Sequence, residues 1–125
     1  MSQRMHPERI PDMQIDERAA GKVTVLVLKG ELKLGDGQAL LKDKVHSLLH
    51  QGRKHVLVDL GGVSYIDSSG IGELASAFTS VAKAGGSIKL LNLTKRVRDL
   101  LAITKLLTVF DTFDTEKEAL GSFPG

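Results

Sequence analysis

Apolar positions along the chain recur with two different periods, and each change of period marks a new element. Met13, Ile15 and Glu17 alternate with Gln14, Asp16 and Arg18, a two-residue rhythm that predicts a half-exposed edge strand, with Ala20 and Gly21 as the turn after it. Residues 23–28 are nearly continuous in Val and Leu, as befits a strand covered on both faces. Over residues 38–51 the period lengthens: Leu40, Leu41, Val45, Leu48 and Leu49 share a stripe, while Lys42, Asp43, Lys44 and His46 fall largely off it. This predicts an amphipathic helix stopped by Gly52.

The alternation of strand and helix then repeats. Residues 55–60 read as a second buried strand; beyond a loop at 61–70, Ile71, Leu74, Ala75, Phe78, Val81 and Ala82 mark a helix that ends at Gly85 and Gly86. Residues 88–93 form a third buried strand, Val97, Leu100 and Leu101 a third helix, and Thr108, Val109 and Phe110 a short strand. Thr115 and Glu118 offer a capping box for a last helix. Residues 1–12, with His6, Pro7 and Pro11, read as a loose arm, residues 13–120 as the domain and residues 121–125 as a tail.

This order describes an α/β domain: an edge hairpin followed by right-handed crossovers onto a mixed, mostly parallel sheet of four to five strands, with about four helices. In such sheets ligands and partners gather beyond the carboxyl ends of the parallel strands. Two loops qualify, residues 29–37 and residues 61–70.

Composition narrows the chemistry. A length of 125 residues suits one domain. With no cysteine there is no disulfide, thiolate cluster or thiol nucleophile, and a cytoplasmic protein is expected. Five aromatic residues offer few stacking platforms, and 17 Lys and Arg against 15 Asp and Glu leave a net charge of only +2, so direct nucleic-acid binding is not expected. No apolar run approaches the roughly 18 residues of a membrane span.

The segment from Gly61 to Gly72 is the most unusual in the chain. It sets Ser68 and Ser69 directly after Asp67 and just before Gly70, Ile71 and Gly72, at the start of a predicted helix. Two readings apply. Asp67, Ser68 or Ser69 caps the helix, or the loop presents a hydroxyl at a helix N-terminus, where an added anion such as a phosphoryl group is favoured. Rival chemistries fare worse. Gly70, Gly72 and Ala75 imitate a dinucleotide fingerprint, but the predicted strand ends ten residues before Gly70, and residues 88–93 hold no acid for the ribose. A nucleophile elbow needs glycine two positions before the serine, where Ile66 and Asp67 stand. No phosphate-loop string exists, and Asp43, His46 and His50 on one helix face read as solvated residues beside the leucine stripe. No metal site, cofactor site or catalytic constellation is expected.

Taken with the element order, Leu28, Lys29, Gly30, Glu31, Leu32 and the run from Val56 to Gly72 make the chain resemble STAS domains, most closely the stand-alone bacterial anti-sigma-factor antagonists. The resemblance implies a partner-switching regulator of transcription, of the kind used in stress responses, and not an enzyme. The unmodified antagonist binds an anti-sigma factor that is also a serine kinase; that kinase phosphorylates it, and a serine phosphatase resets it. It implies Ser68 as the phosphoacceptor, with Ser69 as fallback, and a contact surface of Glu31, Lys33, Asp67, Ser69, Gly70, Ile71 and Gly72. A STAS subunit of a transporter or sensory scaffold, docking a partner through the same loop, is the alternative, and self-association is open. Many relatives carry Asp where this chain has Lys33, which reverses a charge on that surface and suggests that Lys33 lies near a phosphorylated Ser68.

Overall fold

The computed structural model describes residues 11–124, in which five strands and four helices follow one another in the predicted order. The strands are β1 (Met13–Ala20), β2 (Val23–Leu32), β3 (His55–Ile66), β4 (Ser87–Leu91) and β5 (Thr112–Phe113); the helices are α1 (Asp36–His50), α2 (Ser68–Lys83), α3 (Lys95–Ile103) and α4 (Glu116–Gly121). The sheet order is β1-β2-β3-β4-β5, antiparallel only between β1 and β2. Most of the predicted arm, residues 1–10, lies outside the described residues.

The continuous apolar runs follow from burial on both sides. Leu26 and Leu28 of β2, Val56, Val58 and Leu60 of β3, and Ile88 and Leu90 of β4 face one core with Leu41, Val45 and Leu48 of α1, Leu74 and Val81 of α2, and Val97 and Leu101 of α3. Val23, Val25, Leu57 and Leu91 point the other way, onto a smaller core closed by Ala119 and Phe123. Phe123, read as part of a tail, is therefore packed. Each fully buried leucine contributes about 1.5–3 kcal/mol. Half of the capping box forms: Thr115 caps α4 by accepting from the Glu118 N–H, but the Glu118 carboxylate accepts from the Thr115 hydroxyl and not from its backbone N–H.

Three boundaries differ from the sequence reading, and two of them shape the site. The stretch 61–66 is not a loop: β3 continues to Ile66, and β2 continues beside it to Leu32. The register slips between Val27 and Lys29 and again between Gly30 and Glu31. These bulges break the two-residue period, so Val63 and Ile66 are buried three residues apart and the strand cannot be recognised from alternation. At the other end, Thr108, Val109 and Phe110 form no strand. Val109 closes a turn by donating to Leu106 O, Phe110 is buried edge-on against Phe78, and the strand is the two-residue β5 that follows. There a β-branched pair beside an aromatic serves a turn and a core plug.

Candidate functional site

The carboxyl ends of β2 and β3 bring the two predicted loops together, much shortened. Residues 33–35 link β2 to α1, and Asp67 alone links β3 to α2. Asp67 holds the junction. Its backbone is extended (φ −119°, ψ −175°) and it caps α2: Oδ1 accepts from the Gly70 N–H at 2.9 Å, while Oδ2 accepts from the Leu34 N–H at 3.2 Å. One carboxylate thus caps one helix and pins the loop entering another. Partial burial pushes the Asp67 carboxyl upward, but the N–H groups of Gly70, Leu34, Ser69 and its own residue outweigh this and hold it below the usual carboxylate range.

Glycine lets the pieces meet. A Cβ on Gly70 would lie 2.1 Å from Leu32 O, and one on Gly37 would lie 2.3 Å from Glu31 O, so both helices start against the backbone of β2. Side chains larger than hydrogen cannot occupy those positions without moving a strand.

Ser68 is the first residue of α2; it is exposed, and its hydroxyl has no hydrogen-bond partner among the described residues. Of the two readings of the motif, capping therefore falls to Asp67 and presentation to Ser68. Ser69 is half-buried and supplies an N–H to Asp67. Gly70 and Ile71 were expected on the contact surface but are buried, Ile71 at 3% exposure, so they shape the site from beneath. Gly72 is exposed, with no atom within 4 Å of where its Cβ would stand. Glu31 and Lys33 pair at 3.0 Å on the β2 side. The Lys33 ammonium, raised by Glu31, is committed within its own loop.

Three residues of this face were not among the predicted ones. Leu34 is 69% exposed although its N–H is fixed by Asp67. Tyr65, opposite Glu31 in the strand register, is partly exposed and carries the Arg96 guanidinium 4.4 Å from its ring centroid. The apolar Leu34 inside a polar loop was the available signal; the meeting of Tyr65 with Arg96 depends on β3 reaching past residue 60, which the pattern hid.

The longer β3 also changes one exclusion. The glycines of 70–72 do follow a strand closely, so their spacing no longer argues against a dinucleotide site. The geometry does: Gly70 is spent on packing against Leu32 O, and the N–H groups that would hold a pyrophosphate are taken by Asp67. Asp43, His46 and His50 stay exposed on α1, and no group of three or more potential metal ligands occurs among the described residues. No helix among them is long and apolar enough to cross a membrane.

The capped, exposed serine stands where the first two parallel strands, β2 and β3, end, and residues 12–119 match the family model of the STAS domain. The chain belongs to the STAS domain family. It is 40% identical over 72 residues to the anti-sigma-B factor antagonist of Bacillus subtilis (strain 168), a match that covers 58% of this chain and 65% of the relative, just under two thirds of its length. A crystal structure from Thermotoga maritima, of a protein assigned as an anti-sigma factor antagonist, superposes with a TM-score of 0.81 at 24% identity, covering 87% of this chain and 93% of that one. The phosphorylated form of the Bacillus cell fate determinant SpoIIAA superposes with a TM-score of 0.71 at 22% identity, covering 86% and 97%.

Proposed function

We propose that this protein is an anti-sigma factor antagonist that acts by binding, the chemistry belonging to its partners. Unmodified, it engages an anti-sigma factor with serine kinase activity through the face formed by Ser68, Gly72, Leu34 and the Glu31–Lys33 pair. The kinase transfers the γ-phosphoryl group of ATP to Ser68 Oγ, with ADP leaving and the hydroxyl proton released; a serine phosphatase hydrolyses the ester and restores the binding form. The observation that carries this reading is Ser68 itself: exposed, first in α2, its hydroxyl unengaged among the described residues. The kinship with anti-sigma factor antagonists supports it.

The local electrostatics favour release on phosphorylation. A phosphoserine carries about −1.5 to −2 charge. The Ser69 and Gly70 N–H groups that would receive it already serve Asp67, so the dianion stands beside a carboxylate and faces whatever covers the loop. Desolvating that pair of charges in a complex at a cost of about 3 kcal/mol weakens binding roughly a hundredfold. No change of fold is needed.

The test is incubation of the full chain with candidate anti-sigma kinases and ATP, phosphosite mapping by mass spectrometry, and binding of Ser68→Ala and Ser68→Asp. The expected outcome is one phosphate on Ser68, retained binding by the Ala variant and strongly reduced binding by the Asp variant. Modification of Ser68→Ala at the wild-type rate moves the acceptor to Ser69. Equal binding by both variants refutes the switch and favours the constitutive docking subunit. Lys33→Asp in the same assay tests whether Lys33 tempers the phosphate, by enlarging the affinity lost on phosphorylation if it does.

A further inference from the structure

The opposite end of the sheet holds a second concave surface that plays no part in the reading of Ser68. The two-residue turn between β1 and β2 and the loop from α1 to β3 enclose a cleft of about 470 Å3, lined among others by Gly21, Lys22, Gly52, Arg53, Lys54 and His55. We propose that this cleft binds a small, soluble, phosphate-bearing anion.

Charge is the first ground. Three permanent cations share the cleft, and among the described residues the only carboxylate paired with any of them is Glu17, 3.6 Å from Arg53 and also bound to Lys44 at 3.0 Å. The Lys22 and Lys54 ammonium groups have no ion pair or hydrogen bond among the described residues. Lys42, Lys83, Lys105 and Lys117 are likewise without an ion pair among the described residues, so what sets Lys22 and Lys54 apart is that they share one concavity with Arg53. Cations gathered in a concavity repel one another and raise the local concentration of anions. The whole chain carries only +2, so this cleft is a local excess and not a share of a basic surface.

Shape and chemistry are the second ground. Gly21 and Gly52 lie in the left-handed region (φ +62° and +80°), with no atom within 4 Å of where either Cβ would stand, so the mouth is open and bounded by bare backbone. The volume falls in the range of small-molecule sites, roughly 300–1,000 Å3. Two ammonium groups on flexible stems act as movable point charges, and one guanidinium supplies a planar fork, a combination suited to a phosphate or pyrophosphate group. His55, also in the lining, packs edge-on against Phe123, and its buried Nδ1 has no hydrogen-bond partner among the described residues.

Pyrophosphate titrated into the isotope-labelled full chain, followed by amide and His55 imidazole NMR shifts, tests the proposal. Saturable shifts are expected at residues 21–24 and 52–55, absent with sodium chloride at matched ionic strength. The double variant Lys22→Gln, Lys54→Gln, which removes no ion pair or side-chain hydrogen bond among the described residues, is expected to bind about tenfold or more weakly with an unchanged melting temperature. The proposal is overturned by shifts that do not saturate, by saturable shifts centred on residues 67–72, or by equal affinity in the double variant. Sedimentation with phosphatidylglycerol vesicles in the absence of any pyrophosphate response also overturns it, in favour of a membrane surface.

Discussion

Two sets of junctions, the links from β2 to α1 and from β3 to α2 at the carboxyl end of the parallel strands and the β1–β2 turn with the α1–β3 loop at the amino end, are built on opposite plans. At the carboxyl end the backbone is crowded: Gly37 and Gly70 start their helices against β2 carbonyls, and Asp67 spends both oxygens on N–H groups. In the amino-end turn and loop Gly21 and Gly52 face open space and the Lys22 and Lys54 ammonium groups have no partner among the described residues, although Gly86, just before β4, is packed as closely as Gly70. Crowding shows where the sequence is dictated by assembly, so that a single small polar group, Ser68, can be held out in a defined place. Openness shows where glycine serves only the turn and side-chain charge carries any recognition.

Gly70→Ala is the harshest way to break this contrast. The added methyl would sit 2.1 Å from Leu32 O and 3.0 Å from Ile66 Cγ1, both fixed by strand pairing. A loss of at least about 3 kcal/mol is expected, the upper part of the overpacking range, read as a large fall in denaturant midpoint. Gly21→Ala meets no atom and suffers only its left-handed backbone, about 1–2 kcal/mol. Equal losses at the two positions would mean that crowding at the carboxyl end is relieved by strand movement.

Asp67→Ala removes a cap and the loop pin together. It is expected to cost about 1–2 kcal/mol and to loosen the Leu34 N–H, seen as faster amide exchange at residues 33–35. The same carboxylate sets a pH dependence. Its folded pKa is depressed, so its contribution is complete above the ordinary value near about 4 and is lost as pH falls through the lower folded value. Wild type should therefore lose stability more steeply than Asp67→Ala in acid below about pH 4, and parallel acid profiles would remove Asp67 from the anchoring role.

Much of this is legible in the amino-acid sequence. Both-face burial writes itself as unbroken apolar runs, which is why β2, β3 and β4 were each found, and the run from Asp67 to Gly72 marked the site because serines and glycines gather there at a helix start. Less legible were features made by long-range pairing. The bulges between β2 and β3 scramble alternation, so residues 61–66 read as loop, and with them went the placement of Tyr65 beneath Arg96. Phe110 and Val109 misled for the opposite reason: strand-like composition was used in a turn whose hydrogen bonds run to α3 and its own loop. The cleft at the amino end was invisible, since Lys22 and Lys54 stand 32 positions apart and only the β2–β3 register brings their turns together.

Gly72→Ala is the gentlest test and separates the two kinds of glycine within one helix. Gly70 and Gly72 are two residues apart, yet Gly72 is exposed and has no neighbour for a methyl to strike. In a helix interior alanine is favoured over glycine by about 0.5–1 kcal/mol, so nothing in the free fold calls for glycine at this position. The substitution is expected to raise the melting temperature by a few degrees while weakening partner binding, because a partner seated on Ser68 would meet the new methyl one turn along α2. The two readings move in opposite directions, so a general loss of structure cannot imitate the result. A more stable protein with unchanged affinity would exclude Gly72 from the contact and contract the interface onto Ser68, Leu34 and the Glu31–Lys33 pair.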